Sequence, residues 1–472
     1  MPLPIISVAQ MREWEKATWA SGQTESAVIQ QAGKAVARKA ERITKPGDFI
    51  VVLAGKGHNG DDARVAAEAI ANREVQLVRV IDPNSASAQI TPLIARKPAL
   101  VIDGLFGIGL NRSLGLDWMK LIRQINEAHR PILAVDVPSG LNADSGDPLD
   151  DSIRATHTLT LGAAKQGLLT PTAWQFVGRL EVASEIGLIP YPFTTEVSMI
   201  VPEDFLDFPP PRPVGGHKGT FGHVAIIAGS FGFHGAAVLA ARGAQRAQPG
   251  LITVITEDKV YNPVAEQLQS AMVQTFGAKL ELPETCTAVM IGPGLASKDL
   301  SPIVRETARR LWQESPLAVI VDASGLQWLP ASPCPPNALR VITPHPGEAA
   351  RMLETGSADI QHNRAKAVRD LSKKWGDCYV VLKGHQTMIG RSKEYLAINC
   401  SGNPHLAQGG SGDLLAGYLG GLLAQPALQK TAAKTIQYAV WQHGASADLL
   451  ESRQPNWTVE ELADVLGSVL PG

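Results

Sequence analysis

Short apolar runs alternate with segments of helical periodicity along the first half of the chain. The runs have the length of buried strands, whereas the intervening segments repeat their apolar positions about every three to four residues. This pattern predicts strands at residues 49–54, 75–81, 100–103, 132–137 and 158–161. It predicts helices at 63–72 and 116–129, after a long helical region at 8–43. The alternation indicates a Rossmann-like α/β domain with a doubly wound parallel sheet.

The second half repeats this pattern in kind but with a different sequence. Strands are predicted at 223–228, 251–256, 288–291, 318–322, 341–343 and 379–383, and the last helices at 414–423 and 432–450. The stretch 207–216 contains four prolines and two glycines, which exclude a continuous helix or central strand. We therefore predict two α/β domains, 1–207 and 217–472, joined by a linker at 208–216. Ligands are expected at the carboxyl ends of the strands.

Composition narrows the class of protein without naming it. The chain has 472 residues, 44% hydrophobic and 19% charged, with 43 basic and 45 acidic residues. This balance gives no global field toward nucleic acid or an anionic membrane. The four cysteines are far apart and form no CxxC pair, which indicates reduced thiols. No segment has the length of a membrane-spanning helix and the N-terminus lacks a signal-peptide pattern, so we expect a soluble, cytoplasmic protein.

The clearest chemical motif is Gly409-Gly410-Ser411-Gly412-Asp413, which opens an apolar helix. Glycines let backbone N–H groups crowd together, and the start of a helix attracts anions, so the motif suits a phosphate. Asp413 at that position is consistent with a helix cap. It is also consistent with a base that deprotonates a hydroxyl attacking a phosphoryl group.

Other polar loops of this half also follow predicted strands. They span residues 229–236, 292–295, 343–348 and 383–387. Each loop alone is consistent with a simple turn, but together at strand ends they predict a shared cleft. His345, between two prolines, fits either a structural residue or a ligand contact. Lys383 fits either a strand end or a phosphate contact.

The motifs HKGTFGHVAIIAGS, IGPGL, ITPHPGEAARML, VVLKGHQT and GNPHLAQGGSGDLLAG, within residues 217–470, resemble those of the ADP-dependent NAD(P)H-hydrate dehydratases. The resemblance implies a ribokinase-like fold in which a nucleotide phosphorylates the hydrated ring of NADH or NADPH and phosphate then leaves. It implies Asp413 as the base. It implies nucleotide contacts by Lys383, Gly384, His385, Gln386, Thr387 and Gly412, and hydrate contacts by Ala236, Gly294, His345 and Asp413. Three residues depart from the family pattern: His405, Gln408 and Ser324.

The N-terminal half carries a glycine loop of its own. Residues 55–60 fit GxGxxG, and Asp82 ends the next strand, as in a dinucleotide-binding fingerprint. Asp61 and Asp62 follow at once and would repel a pyrophosphate, which disfavours a plain Rossmann site.

Loops after the later strands supply oxygen donors. Asp103 and Asp136, with Asn59 and Ser139, suit an alkali or alkaline-earth cation. For each acid alone, a helix or turn cap is equally consistent.

DGLFGIGLNR and AVDVPSGLNADSG, within residues 5–205, resemble the NAD(P)H-hydrate epimerases of the YjeF N-terminal type. The resemblance implies interconversion of the R and S hydrates, with Asn59, Asp103 and Ser139 as potassium ligands. It implies substrate contacts by His58, Asn59, Gly60, Asp61, Asp62, Gly107, Ile108, Gly109, Leu110, Asn111, Arg112, Ser113 and Asp136. Asp136 is our candidate for moving the proton or water. The family's GNNGGDG loop reads GHNGDDA here, so Asp61 is an added charge.

The resemblances imply K⁺ and Mg²⁺ as cofactors, and ADP or ATP as co-substrate. The expected partners are hydrated NADH or NADPH and an adenine nucleotide, with no nucleic acid or membrane, in a homo-oligomer. One alternative is a ribokinase-like kinase acting on hydroxymethylpyrimidine or hydroxyethylthiazole. In another, the N-terminal domain is a non-catalytic binding module.

Overall fold

The computed structural model describes residues 3–277 and 279–471. They form two compact units, one running from Leu3 to Thr195 and the other beginning at Glu196. Among the described residues, no helix combines the length and the apolar composition needed to cross a lipid bilayer.

The first unit is a parallel sheet with helices on both faces, as the alternating pattern predicts. Across the sheet the strands follow in the order Glu74–Arg79, Phe49–Ala54, Leu100–Gly104, Ile132–Val135, His157–Leu161 and Arg179–Ala183. The helices are Val8–Ala20, Glu25–Ile43, His58–Ala69, Pro83–Ala95, Leu116–Glu127 and Trp174–Val177. Leu3–Ile6 and Ala164–Lys165 form a further parallel pair. The predicted doubly wound sheet is confirmed.

Strand Phe49–Ala54 shows how an apolar run produces these layers. Successive side chains of a strand point to opposite faces of the sheet. Ile50 lies in the core that includes helix Glu25–Ile43, whereas Val51 lies in the core that includes helix Leu116–Glu127. Because both faces are buried, the strand is continuously apolar rather than alternating.

The second unit is a mixed sheet covered by helices. Its strands follow in the order Met272–Thr275, Leu251–Thr256, His223–Ile227, Ala288–Ile291, Ala318–Val321, Arg340–Ile342, Tyr379–Leu382, Thr387–Gly390, Leu396–Asn399 and Val197–Ile200. Thr387–Gly390 runs antiparallel to both of its neighbours, and the other pairings are parallel. The helices are His234–Ala247, Tyr261–Ala265, Pro302–Glu314, Pro346–Leu353, Ser357–His362, Arg364–Lys374, Ser411–Leu423, Pro426–Gln429, Ala432–Arg453 and Val459–Val465.

The division between the units differs from the predicted boundary at residue 207. Strand Val197–Ile200 pairs with Leu396–Asn399 and so belongs to the second sheet. Phe205 and Phe208 pack in the second core, with their rings about 5 Å from that of Tyr438. The proline-rich stretch therefore lies inside the second unit. A high proline content excludes helices and central strands from a segment, but it does not show to which unit the segment belongs.

Candidate active sites

Asp413 lies in the first turn of helix Ser411–Leu423. The first N–H groups of a helix have no intrahelical acceptor, so they are free to receive an anion. Gly410, which precedes the helix, has a φ of +95°, a conformation that strongly favours glycine. The glycine motif thus has the geometry that the predicted anion cradle requires, with a carboxylate at its edge.

Two glycines press this helix against the neighbouring helix His234–Ala247. A Cβ at Gly417 would overlap the carbonyl oxygen of Ala240, and one at Gly243 would overlap that of Leu414. The close approach fixes the start of the Asp413 helix relative to the loop that opens the other helix.

Lys383 projects toward the same helix start. Its Nζ lies 2.6 Å from Asp322 Oδ1, and a Cβ built on Gly412 would lie 3.4 Å from that nitrogen. Asp322 is buried and accepts a hydrogen bond of 2.7 Å from the Thr343 hydroxyl. The ammonium group is therefore held beside the glycine cradle by a buried carboxylate.

The charges in this cluster shift one another. Burial first, and then the Asp322 and Glu348 carboxylates, raise the pKa of Asp413 to about 7, against a smaller lowering by Lys383. Burial lowers the pKa of Lys383, but the same carboxylates outweigh it and raise that pKa above its ordinary value. Lys383 therefore stays protonated at neutral pH, next to the Asp413 carboxyl group, whose pKa lies near neutrality.

The predicted nucleotide-contact segment, Lys383 to Thr387, is a tight turn between two strands. Gly384 has a φ of +122° and Gln386 has a φ of +56°. The Thr387 hydroxyl donates to the Gly384 carbonyl oxygen over 2.9 Å, and His385 is exposed. The turn presents Lys383 and backbone groups at the carboxyl end of strand Tyr379–Leu382.

Arg364 supports this turn from below. Its Nη2 donates to the carbonyl oxygens of Leu382, Lys383 and Gln386 over 2.9, 3.3 and 3.5 Å. The side chain is buried, and burial lowers its pKa to about 10, which leaves it charged at neutral pH. Arg364 therefore stabilises the backbone of the turn and does not itself face a ligand bound there.

Two of the predicted hydrate contacts, Ala236 and Gly294, lie side by side. A Cβ built on Gly294 would be 2.8 Å from the Ala236 Cβ, so any larger residue would crowd this point. The Ser230 hydroxyl donates to the Gly294 carbonyl oxygen over 2.6 Å and accepts from the Ser297 N–H over 3.0 Å. These bonds tie two of the predicted cleft loops together.

His345 is the N-cap of helix Pro346–Leu353. Its Nδ1 accepts from the Gly347 N–H over 3.0 Å, and its own N–H donates to Glu348 Oε2 over 2.8 Å. This is the structural role that the flanking prolines suggested. The outer part of the ring is half exposed, so the capping role leaves one edge open to a ligand.

The three departures from the family pattern fall into two places. His405 Nδ1 lies 2.9 Å from Glu451 Oε2, and the Gln408 amide donates to the carbonyl oxygens of His405 and Trp457 over 2.7 and 3.2 Å. These two residues thus fasten the segment before the glycine loop to the C-terminal helices. Ser324 is in a short 3₁₀ helix beside Asp322.

The first unit has a cavity of about 780 Å³ at the carboxyl ends of its strands. The predicted contact residues that line it are His58, Asn59, Asp62, Gly107, Ile108, Gly109, Leu110, Asn111, Arg112 and Asp136. Helix Val8–Ala20 adds residues that no motif indicated, among them Glu15. The cavity is large enough for a nucleotide-sized ligand.

The predicted potassium ligands meet beneath this cavity. Ser139 donates through Oγ to Asp103 Oδ1 over 2.6 Å and through its N–H to Oδ2 over 2.8 Å. The Asn59 amide donates to the Phe106 carbonyl oxygen over 2.8 Å, while its buried Oδ1 has no partner among the described residues. Burial raises the pKa of Asp103 to about 6, against the lowering by its hydrogen bonds with Ser139 and Leu105.

Asp136 is fixed by a buried lysine. Its Oδ1 accepts from Lys165 Nζ over 2.5 Å, from the Leu161 N–H over 3.0 Å and from the Thr160 hydroxyl over 3.1 Å. Lys165 is fully buried, and its ammonium also donates to Thr160 and to the Leu161 carbonyl oxygen. The backbone of Asp136 has a φ of +64°, which non-glycine residues rarely adopt, and the residue lines the cavity.

Three predicted contacts do not line the cavity. Gly60 is packed against the backbone of Gly55, where a Cβ would overlap a carbonyl oxygen. Asp61, the added charge, forms an ion pair with Arg64 one turn along its helix. Ser113 donates to the Asp150 carboxylate.

Asp82, which completed the dinucleotide-binding fingerprint in the sequence, caps helix Pro83–Ala95 by accepting from the Ser85 N–H over 2.7 Å. The plain Rossmann interpretation, already disfavoured by charge, gains no support.

Sequence reasoning missed four side chains that shape the two sites: Glu15, Lys165, Asp322 and Arg364. Lys165 had a usable signal, because a lysine inside the apolar run LTLGAAKQGLL is a candidate buried charge that needs a partner. Asp322 had a usable signal too, because it is a charged residue directly after an apolar strand. Glu15 and Arg364 lie on helices with many other charged residues, so nothing local marked them.

Comparisons with known proteins match the two units to two different protein families. Residues 224–468 match the family model described as NAD(P)H-hydrate dehydratase, and residues 25–91 and 79–167 match that described as YjeF-related protein N-terminus. A bifunctional NAD(P)H-hydrate repair enzyme of Coxiella burnetii is 32% identical over 464 residues, which cover 93% of each chain.

Two solved structures resemble the second unit. An ADP/ATP-dependent NAD(P)H-hydrate dehydratase from Bacillus subtilis, crystallised with ATP/Mg²⁺, is 31% identical and covers 55% of this chain and 92% of its own, with a TM-score of 0.49. A hypothetical protein from Streptococcus mutans is 25% identical and covers 58% of this chain and 98% of its own, with a TM-score of 0.51.

Fold and site define a ribokinase-like enzyme domain preceded by a Rossmann-like domain of the YjeF N-terminal type. The chain belongs to the family of bifunctional NAD(P)H-hydrate repair enzymes.

Proposed function

We propose that this chain restores hydrated NADH and NADPH by two activities. Its C-terminal domain dehydrates the S hydrate with ADP or ATP as phosphoryl donor, and its N-terminal domain interconverts the R and S hydrates. The observation that carries the proposal is the cluster at the glycine loop, where Asp413 and the Lys383–Asp322 pair meet at a helix start.

Asp413 is the base of the phosphoryl transfer. Its carboxylate takes the proton of the ring hydroxyl as that oxygen attacks the terminal phosphorus of the nucleotide, and the bond from this phosphorus to its bridging oxygen breaks, so that AMP leaves from ADP, or ADP from ATP. The helix N–H groups and the Lys383 ammonium stabilise the charge that builds up on the transferred phosphoryl oxygens. Inorganic phosphate then leaves the ring carbon with the electrons of the C–O bond, and loss of a proton from the neighbouring carbon leaves the C–H electrons to restore the ring double bond.

Magnesium fits this site as the companion of the nucleotide. Glu348, close enough to Asp413 to shift its pKa, offers carboxylate oxygens of the kind that Mg²⁺ prefers near the phosphate cradle. The ion supplies charge neutralisation on the phosphates, while the chain's own groups orient the two reactants.

The pH dependence of dehydration follows from Asp413. A base must be deprotonated to act, so kcat/KM for the S hydrate is expected to rise with pH, with a midpoint near the Asp413 pKa of about 7, and then to level off. Initial rates across a buffer series test this. ADP affinity in the same buffers separates titration of the nucleotide phosphate from titration of Asp413. A profile that is flat through the midpoint would contradict the assignment.

The N-terminal cavity supports the epimerase activity. Potassium fits the site below it, because Asn59 Oδ1 is a buried oxygen without a partner and Asp103 and Ser139 add further hard oxygens. The bound ion would hold the Asn59 and Asp103 loops at the cavity floor. Asp136, engaged by Lys165, supplies a fixed negative charge beside the substrate ring.

A kinase acting on a vitamin precursor is the competing function for the second unit. The two functions differ in what becomes of the phosphate. The dehydratase releases one inorganic phosphate for each reduced nicotinamide ring restored, whereas a kinase leaves a stable phosphorylated product. Phosphate release and absorbance at the reduced-nicotinamide band, measured together with S hydrate and ADP, distinguish them.

A further inference from the structure

Two carboxyl groups that line the N-terminal cavity take part in none of the hydrogen bonds and ion pairs described above. Glu15 projects from helix Val8–Ala20 and Asp62 from helix His58–Ala69, and both line the cavity. Asp62 is only 6% exposed. Among the described residues, neither carboxyl group has a hydrogen-bond or ion-pair partner, unlike Asp136 and Asp103 in the same unit. A buried carboxyl group without a partner is costly unless a ligand or a proton satisfies it.

Epimerisation requires an acid and a base in one cavity. Water adds across an enamine double bond with its hydroxyl on the carbon next to nitrogen, because the nitrogen lone pair stabilises positive charge there. Inversion at that carbon breaks the C–O bond, and the hydroxyl leaves as water after receiving a proton from an acid. The nitrogen lone pair forms a C=N⁺ bond. Water then adds to the opposite face, its electrons form the new C–O bond, and a base takes its proton.

We propose that Asp62 and Glu15 are this acid–base pair, with Asp62 protonating the departing hydroxyl and Glu15 accepting the proton of the incoming water. The roles exchange in the reverse direction, so one proton is given and one is taken in each cycle. The inference rests on the proposed epimerase function of this domain and names the residues that carry it out. Asp136 remains the fixed charge beside the cationic intermediate and is not the proton carrier.

The electrostatics of the cavity agree with this division of roles. Burial first, and then Asp136 and Glu15, raise the pKa of Asp62 to about 8, against a lowering by Lys165, so Asp62 carries a proton at neutral pH. Burial, followed by Asp136, also raises the pKa of Glu15. The other charged groups that face this pair are Lys165, His58, Glu25, Arg12, Lys56 and Arg112.

The test uses the full chain without nucleotide, so that dehydration does not run. Conversion of R hydrate to S hydrate is followed by NMR in the wild type, Glu15→Gln, Asp62→Asn and Glu15→Asp. Both amide variants are expected to lower kcat by about 10²–10³-fold with KM little changed, and Glu15→Asp to recover part of the rate. Glu13→Gln is the matched control, because Glu13 is exposed on the same helix and does not line the cavity.

Urea unfolding of the same samples shows that the N-terminal unit of each variant is folded, and dehydration of S hydrate with ADP, which takes place in the second unit, should stay at the wild-type rate. Glu15→Gln converting R hydrate at the wild-type rate would overturn the inference while leaving the epimerase function intact. An equal loss in Glu13→Gln would also overturn it, because the helix and not the Glu15 carboxyl group would then be responsible. A wild-type chain that does not accelerate the conversion would overturn the epimerase function itself.

Discussion

Asp413→Asn is expected to lower kcat for dehydration by about 10²–10⁴-fold, the range for loss of a general base. Asparagine keeps the size and position of the side chain but cannot take a proton at neutral pH. ADP affinity is expected to stay the same or to increase, because the change removes a negative charge beside the phosphates. Single-turnover restoration of the reduced ring and calorimetric titration with ADP give the two quantities.

The same substitution is expected to increase the stability of the protein although it lowers the activity. The Asp413 pKa is raised in the folded chain to about 7 from its ordinary value of 3.8, so the folded state binds the proton more tightly than the unfolded state does. Stability is therefore lost as pH rises between these two values, and the full penalty is present above about pH 7. Asp413→Asn removes that penalty and should melt above the wild type at alkaline pH.

Asp464→Asn is the matched control, since Asp464 is an exposed carboxylate on the last helix, paired with Arg246. It should change neither rate nor affinity. An Asp413→Asn enzyme with full activity would remove the residue from the mechanism.

Lys165→Met is expected to destabilise the N-terminal unit by about 3–5 kcal/mol, the usual cost of leaving one partner of a buried ion pair uncompensated. Lys165 is fully buried and its ammonium lies 2.5 Å from Asp136, so the substitution leaves the buried Asp136 carboxylate without its counter-ion. Epimerisation should fall with it, because Asp136 loses its position. Urea unfolding monitored together with R-hydrate conversion measures both effects.

Two further variants show whether the pair is the cause. Lys165→Met combined with Asp136→Asn should recover part of the lost stability, because the buried charge is gone, but not the epimerisation rate. Lys120→Met removes an exposed lysine paired with Asp117 over 3.1 Å and should cost less than about 1 kcal/mol. Equal costs for Lys165→Met and Lys120→Met would show that the pair contributes little.

The strands of both sheets could be predicted because buried strands are continuous apolar runs. Phe49–Ala54 and Leu251–Thr256 have the predicted bounds for this reason. The strands Thr387–Gly390, Leu396–Asn399 and Val197–Ile200 were missed because each contains a polar residue, which leaves an apolar run of only two or three residues. Their places depend on pairing with distant strands, which the local sequence does not contain.

The candidate sites divide in the same way. The glycine loop with Asp413 could be predicted, since a loop of this type before a helix needs little tertiary information. Partners such as Asp322 for Lys383 and Lys165 for Asp136 are brought together only by the fold, across 61 and 29 residues. Glu15 reaches the epimerase cavity from the N-terminal helix for the same reason.

The most direct test of two coupled activities is one progress curve. The wild-type chain is given an equal mixture of R and S hydrates with an excess of ADP, and restored NADH and released phosphate are followed together. The account predicts that the whole mixture is consumed, with one phosphate for each NADH and with no slow second phase at the rate of uncatalysed epimerisation. Consumption that stops at the S half, apart from that slow phase, would contradict the epimerase. No nucleotide-dependent restoration of NADH would contradict the account as a whole.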